Sequence, residues 1–292
     1  MIRFNHLKLP APAKLNLMLN IIGRREDGYH NLQTLYQFLD FCDELAFTSR
    51  LDGEIKLATP MEGVSPSDNL ILRAAKLLQD ECGVEFLGAT IKVTKRIPIG
   101  AGLGGGSSNA ATTLVGLNQL WQTHLTIGQL QRLGATLGAD IPIFIHGHSA
   151  WAEGIGDELT TVTIPERWYV VVSPQCQVLT ARIFGHVDLI RNTPPTTVDI
   201  ILKNGGTNDC QPLVSKLYPK VQEALEWLGS FAKAQMTGTG SSVFASFTSR
   251  SEAVEVIQKL PERFKGFISR GLNLSPLHQA GTVLLLFPNG RL

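Results

Sequence analysis

Five glycines fall within the eleven residues Pro98–Ser108, and two serines close the segment. Glycines let the backbone take positive φ and let a ligand come close to the main chain. Where a strand leads in and a helix leads out, successive N–H groups converge on an anion and the helix N-terminus adds its positive dipole. Such a loop suits polyphosphate. It is not a Walker A loop, because no GxxxxGK[ST] occurs. Gly100, Gly102 and Gly105 do spell GxGxxG, but a dinucleotide fold wants an acid about 20 residues on. Trp121–His124 offers none. The plain alternative is a flexible hinge; the glycine density and Ser107-Ser108 favour phosphate.

Other positions could act with this loop. Lys14 and Asn16 stand two apart in Pro12–Leu17, so a strand would put both on one face. Asp140 is an acid inside the apolar stretch Leu137–Pro142. Taken singly, Lys14 is a solvated charge and Asp140 a cap or turn residue. Thr237–Ser242 is a second glycine-rich loop, either closing over the site or turning tightly into a strand. His146 and His148 form an HxH with no further ligand at a recognisable spacing, which favours a surface turn over a metal site.

These groups need strands and helices to hold them. In Lys14–Ile22, Leu15, Leu17, Leu19 and Ile21 alternate with mostly polar partners, which predicts a half-buried strand. Gly23–His30 predicts a loop, and Leu32–Phe41 gives no clear pattern. Short strands are expected at Glu44–Thr48, Glu54–Leu57 and Thr90–Thr94. Ser67-Asp68-Asn69 offers caps for a helix that Gly83 ends. Helices follow from about Ser108 to Trp121 and over Thr126–Leu137, with Gly138 as a stop. A boundary is expected near Ile164–Arg167. Beyond it, strands Trp168–Val172, Ser242–Phe247 and Gly266–Ser269 alternate with helices Val221–Leu228 and Ser251–Lys259, the pattern of an α+β sandwich.

The 292 residues, 43% of them hydrophobic, suffice for two domains or one large one. A net charge of +1 argues against a nucleic-acid-binding tail or a polybasic membrane anchor. Apolar runs such as Val283–Phe287 are far short of the ~20 residues that span a membrane. The first ten residues lack the apolar core of a signal peptide. Cys42, Cys82, Cys176 and Cys210 form no CxxC, which suits a reducing cytoplasm and core packing rather than nucleophiles. The tail Thr282–Leu292 suggests an added strand or an apolar contact with a partner.

The ordered motifs PAKLNL at 12–17, PIGAGLGGGSSNAA at 98–111, LGADIPIF at 137–144 and TGTGSSVFA at 237–245 resemble the GHMP kinases. The resemblance spans roughly residues 12–280 and implies an α+β fold of two domains, 1–164 and 165–292. The first would be similar to the second domain of ribosomal protein S5 and the second ferredoxin-like, with the active site in the cleft between them. It implies an ATP-dependent phosphotransferase with an alcohol acceptor. Lys14 and Asp140 match the family's catalytic pair. An alcohol is a poor nucleophile at neutral pH, so a base must take its proton as the P–O bond forms. The rest is positioning and charge stabilisation of the transferring phosphoryl group. Lys95 and the loop Pro98, Ile99, Gly100, Ala101, Gly102, Leu103, Gly104, Gly105, Gly106, Ser107 and Ser108 match the ATP site.

GRREDGYHNLQTL at 23–35 resembles the branch whose substrate is 4-diphosphocytidyl-2-C-methyl-D-erythritol, on the non-mevalonate route to isoprenoid precursors. Tyr29 and Phe184 then match rings that stack on cytosine, His30 a hydrogen-bonding partner at its edge, and Asn16 and Thr180 polar contacts to the sugar-alcohol part. Without the resemblance Tyr29 and Phe184 are ordinary core aromatics and His30 a loop histidine. Mg²⁺ is expected to arrive with ATP, and its protein ligands are left unassigned. The expected partners are this small molecule only, with no nucleic acid and no membrane, and a monomer or weak homodimer. The alternatives are a GHMP kinase for homoserine or mevalonate, or a non-catalytic nucleotide-binding protein.

Overall fold

The computed structural model describes residues 6–61 and 64–285, with side chains for those up to residue 280. The N-terminal alternation extends well past the sequence expectation. Strand β1 (His6–Arg24) pairs antiparallel with β2 (His30–Arg50) around a turn in which Gly28 takes φ +87°. Register shifts at Pro12/Lys14, Asn16/Met18 and Ile21/Gly23 interrupt the ladder. β1 pairs along its length only with β2, and an edge strand tolerates the missing N–H groups of Pro10 and Pro12. Leu32–Phe41, which shows no pattern in the sequence, and Glu44–Thr48 are one continuous strand. Long stretches of β2 are buried on both faces, so the period-two signal vanishes.

The remaining N-terminal elements are β3 (Ile55–Leu57), α1 (Leu70–Cys82), β4 (Gly88–Thr94), α2 (Gly105–Leu120), α3 (Ile127–Leu137), α4 (Ile141–His146), β5 (Ala150–Glu153) and β6 (Glu158–Thr161). The cap expectations hold. Asn69 Oδ1 accepts the Ile71 N–H at 3.0 Å, and Gly83 closes α1 at φ +62°. Thr126 and Gln129 form a capping box on α3. Helix α2 begins at Gly105, three residues before the sequence suggests. Glycines are poor helix formers, and here the surrounding structure overrides that weakness. α2 is buried over most of its surface and lies so close to β2 that a Cβ at Gly116 would sit 2.9 Å from Phe47 Cε2.

The second half contains β7 (Trp168–Ser173), α5 (Thr180–Phe184), α6 (Val198–Asn204), α7 (Gln211–Leu217), α8 (Pro219–Gly229), β8 (Gln235–Met236), β9 (Val243–Phe247), α9 (Arg250–Ile257), β10 (Lys265–Leu272) and α10 (Pro276–Leu285). The strands form one sheet in the order β3-β4-β2-β10-β7-β9-β8, with β1 and β5 on β2 and β6 on β5. Of the expected extra strand at Thr282–Leu292, residues 282–285 are helical instead, and 286–292 lie outside the described residues.

Two apolar cores flank this sheet. One gathers α1–α4 and α10 onto β1, β2 and β4, through residues such as Phe38, Phe47, Leu114 and Phe144. The other packs α7, α8 and α9 onto β7 and β9, through Val170, Val172, Val221 and Leu228, and takes in Leu19 and Ile21 of β1. Between them, Leu15, Ile97, Leu103, Tyr169 and Val171 form a smaller apolar cluster beneath the glycine-rich loop.

Candidate active site

The bulge in β1 after Pro12 brings the loop and the strand together: the Lys14 N–H donates to the Leu103 carbonyl at 3.1 Å. Lys14 and Asn16 do share a face, and Lys14 Nζ donates to Asn16 Oδ1 at 2.5 Å. Lys14 is only 2% exposed, against the surface charge that it would be in isolation. Its ammonium lies 3.3 Å from Asp140 Oδ2. Asp140 is the residue before α4 and makes no side-chain cap bond, so its carboxylate is left for other partners. Its Oδ1 accepts the Tyr36 hydroxyl at 3.0 Å. Burial first, and then the Asp140 carboxylate, push the Tyr36 phenol well above its ordinary range, so it stays a neutral donor.

Tyr36 is a site residue that sequence reasoning missed. It sits opposite Asn16 in the β1–β2 register. Once that register is known, a polar aromatic beside Lys14 and Asn16 is conspicuous; without a predicted strand at Leu32–Phe41 nothing placed it there.

The glycine-rich loop forms a wall of a cavity of about 700 Å³. Gly102 (φ +76°) and Gly104 (φ +72°) allow this packing: a Cβ at Gly102 would lie 2.4 Å from the Thr237 carbonyl oxygen, and one at Gly104 2.7 Å from Phe144 Cζ. The first amides of α2, those of Gly105, Gly106 and Ser107, have no partner earlier in the helix, which is the usual arrangement at an anion site. Ser108 differs from its expected role. Its N–H is already donated to the Gly104 carbonyl at 2.8 Å, and its hydroxyl is buried away from the cavity without a partner among the described residues. On a helix that starts at Gly105, consecutive residues are about 100° apart, so Ser107 faces the cavity and Ser108 the core.

Lys95 lines the cavity, but its ammonium is tied to buried Asp43 and, at 3.2 Å, to Asn109 Oδ1. Asp43 also accepts the N–H groups of Arg96 at 2.7 Å and Ile97 at 2.8 Å and the Asn109 amide at 2.9 Å. One buried carboxylate thus pins the start of the loop to the helix that follows it. Asp43 falls in the segment where the strand expectation stopped, and nothing in the sequence marked it.

The other expected residues reach the same cavity. Asn16, Tyr29, His30, Thr180 and Phe184 all line it. Tyr29 is 59% exposed on the β1–β2 turn, a ring with a free face. The His30 and Phe184 rings lie 5.1 Å apart at 36°. Gly238, Thr239 and Gly240 line the cavity too, and Thr180 Oγ1 and Thr239 Oγ1 are 2.9 Å apart. The second glycine-rich loop therefore borders the site as well as turning into β9.

His146 Nε2 bonds Thr161 Oγ1 at 2.8 Å, and among the described residues no three His, Cys, Asp or Glu side chains form a metal-binding group. All four cysteines are free thiols, and burial above all pushes Cys42 and Cys210 up to about 12, too high for a nucleophile at neutral pH.

Residues 69–148 match the family "GHMP kinases N terminal domain" and residues 187–266 match "GHMP kinases C terminal". A protein of Ectopseudomonas mendocina named 4-diphosphocytidyl-2-C-methyl-D-erythritol kinase is 54% identical over 273 residues, 94% of each chain. One of the same name from Pseudomonas fluorescens (strain Pf0-1) is also 54% identical, covering 94% of this chain and 96% of its own. A crystal structure of 4-(cytidine 5'-diphospho)-2C-methyl-D-erythritol kinase superposes with a TM-score of 0.81 at 31% identity, over 91% of this chain and 99% of the other. A mevalonate kinase structure shares the fold at a TM-score of 0.67 and 17% identity, over 91% and 99%. With its two-domain α+β architecture, this chain belongs to the GHMP kinases and, among them, to the 4-diphosphocytidyl-2-C-methyl-D-erythritol kinase family.

Proposed function

We propose that this protein transfers the γ-phosphoryl group of ATP to the 2-hydroxyl of 4-diphosphocytidyl-2-C-methyl-D-erythritol, giving the 2-phosphate and ADP on the methylerythritol phosphate route to isoprenoid precursors. One observation carries this: a single cavity holds the amide-lined glycine loop, the Lys14–Asp140 pair and the aromatic groups Tyr29, His30 and Phe184. The name carried by relatives at 54% identity supports the choice of acceptor.

Asp140 takes the proton of the acceptor hydroxyl as the new P–O bond forms. Tyr36 holds one carboxylate oxygen, and Lys14, beside the other, steadies the negative charge that grows on the attacking oxygen. The amides of Gly105–Ser107 receive phosphate oxygens. Met61, Val64 and Leu70 give the cavity an apolar lining that suits adenine. Tyr29 and Phe184 offer faces to the cytosine, His30 its edge contact, and Asn16 and Thr180 the polar contacts to the alcohol.

The cavity wall carries few carboxylates, chiefly Asp140 and Asp68, which is too few for a protein cage but fits Mg²⁺ held mainly by ATP oxygens. Ser107, which lines the cavity, would offer a hydroxyl oxygen to the ion, and the bound ion would offset charge on the transferring phosphates. The domains are residues 1–164, like the second domain of ribosomal protein S5, and 165–292, ferredoxin-like, with the cavity as the cleft between them. The two apolar cores support that division in the main, although α10 packs into the first and Leu19 and Ile21 into the second. No helix among the described residues is long and apolar enough to cross a membrane. A cytoplasmic monomer or weak homodimer with small-molecule ligands alone completes the proposal.

A coupled assay of ADP release tests it with the cytidyl alcohol, homoserine and mevalonate. Turnover of the first is expected; turnover confined to the other two would refute it. Tyr29→Ala removes the exposed stacking ring. It is expected to raise the KM of the cytidyl substrate roughly tenfold and leave the KM of ATP unchanged. Equal rises in both would place the base elsewhere.

A further inference from the structure

Arg191 is absent from every motif described so far, yet its guanidinium binds both sides of the aromatic pocket. Its Nε donates to His30 Nε2 at 3.0 Å. Its Nη2 donates to the carbonyls of Phe184 at 2.9 Å and His186 at 2.7 Å, and its Nη1 to that of Leu189 at 3.1 Å. His30 belongs to the start of β2, while Phe184 ends α5, more than 150 residues later. One fork of N–H groups therefore joins the two chain segments that face the base.

The bond to His30 has a further consequence for proton placement. A guanidinium has five donors and no acceptor, and it is always charged. His30 Nε2 must then offer its lone pair. A neutral imidazole with a lone pair on Nε2 carries its proton on Nδ1. His30 is only 7% exposed, and burial, followed by the nearby Arg191 and Arg24 charges, lowers its pKa below the ordinary histidine value. The ring is therefore neutral at pH 7. Nδ1 makes no hydrogen bond to protein among the described residues.

We infer that Arg191 is a positioning residue for base recognition: it fixes His30 as an Nδ1–H donor and braces the Phe184 segment against it. Resting on the cytidyl assignment, this gives the pocket a donor with a set direction. Cytosine has acceptors at O2 and N3 on its pairing edge. A ring free to exchange tautomers would present a lone pair part of the time and forfeit that contact. Preorganisation of this kind affects how tightly the substrate binds more than how fast phosphoryl transfer proceeds.

The test combines spectra and kinetics on the full chain. In long-range ¹H–¹⁵N spectra of histidine-labelled protein, with the His30 signals identified by comparison with His30→Gln, the wild type is expected to show a pyridine-type Nε2 and a pyrrole-type Nδ1. Arg191→Met is expected to show averaged or reversed tautomers. It should also raise the KM of the cytidyl substrate about tenfold, the loss of one well-placed hydrogen bond, with the KM of ATP unchanged and a smaller fall in kcat. Arg191→Lys keeps a charged donor but loses the fork, so it should retain the Nδ1–H tautomer with a smaller rise in KM. Should the methionine variant fail to fold, the lysine variant carries the kinetic arm of the test: a rise in the KM of the cytidyl substrate with the KM of ATP unchanged. A pyrrole-type Nε2 in the wild type, or equal rises in both KM values, would overturn the assignment. The spectra read Arg191 without any substrate, so a failure of the cytidyl assignment would be seen separately, as an absence of turnover by the wild type.

Discussion

Asp140→Asn is expected to lower kcat on the order of 10³-fold, the usual contribution of a general base, with little change in ATP affinity. Asparagine keeps the size and one oxygen of aspartate, so it can still face the Lys14 ammonium at 3.3 Å or the Tyr36 hydroxyl at 3.0 Å. It cannot accept a proton from the acceptor alcohol. In the proposed binding mode ATP rests on the amides of Gly105–Ser107 and on the apolar lining that includes Met61, which the substitution does not touch. Single-turnover kinetics measure the first expectation, and calorimetric titration with ATP the second. A folded variant that had lost ATP affinity, or one that turned over normally, would remove Asp140 from the role of base.

Gly102→Ala is expected to damage stability and nucleotide binding together. Gly102 sits at φ +76°, a region that costs other residues roughly 1–2 kcal/mol. The added methyl would also lie 2.4 Å from the Thr237 carbonyl and 2.9 Å from that of Gly240, both main-chain atoms that cannot swing aside. The two glycine loops would have to separate, breaking the Ser242 N–H to Ala101 carbonyl bond of 3.0 Å as they do. A combined loss of about 3 kcal/mol follows from strain and overpacking, which for a chain of this size lowers Tm by about 5–10 °C. The KM of ATP should rise at least roughly tenfold, because 1.4 kcal/mol is one decade of affinity. An alanine variant with the wild-type Tm and ATP KM would show that the loops do not pack in this way.

The sequence was most informative where a residue's chemistry is local. Helix caps at Asn69, Gly83 and Gly138 depend on groups a few positions apart, and all three are found where the sequence puts them. The glycine-rich loop is legible because Gly100, Gly102 and Gly104 take positive φ, a region that other residues rarely adopt. Register and burial are nonlocal, and there the sequence was silent. Tyr36 enters the site through its pairing with Asn16, and Asp43 through four donors, all of them more than fifty residues away. Arg191 reaches His30 across 161 positions. Ser108 shows the reverse limit: its type suited phosphate, but a helix start three residues earlier turned it inward. The acceptor could not be read from loop chemistry at all, since Tyr29, His30 and Phe184 are ordinary residue types until the fold gathers them.

Lys14 carries a cost that is independent of turnover. Its ammonium is almost wholly out of water, beside a carboxylate that remains 38% exposed at the side chain. Removing a cation from water is expensive, and a partly solvated partner returns only part of that energy. The cost falls on the folding equilibrium of every molecule, whether or not substrate is present. The protein therefore embodies a trade-off between stability and activity. Selection for heat resistance alone would favour an apolar side chain at position 14; in the proposed mechanism it is catalysis that keeps a lysine there.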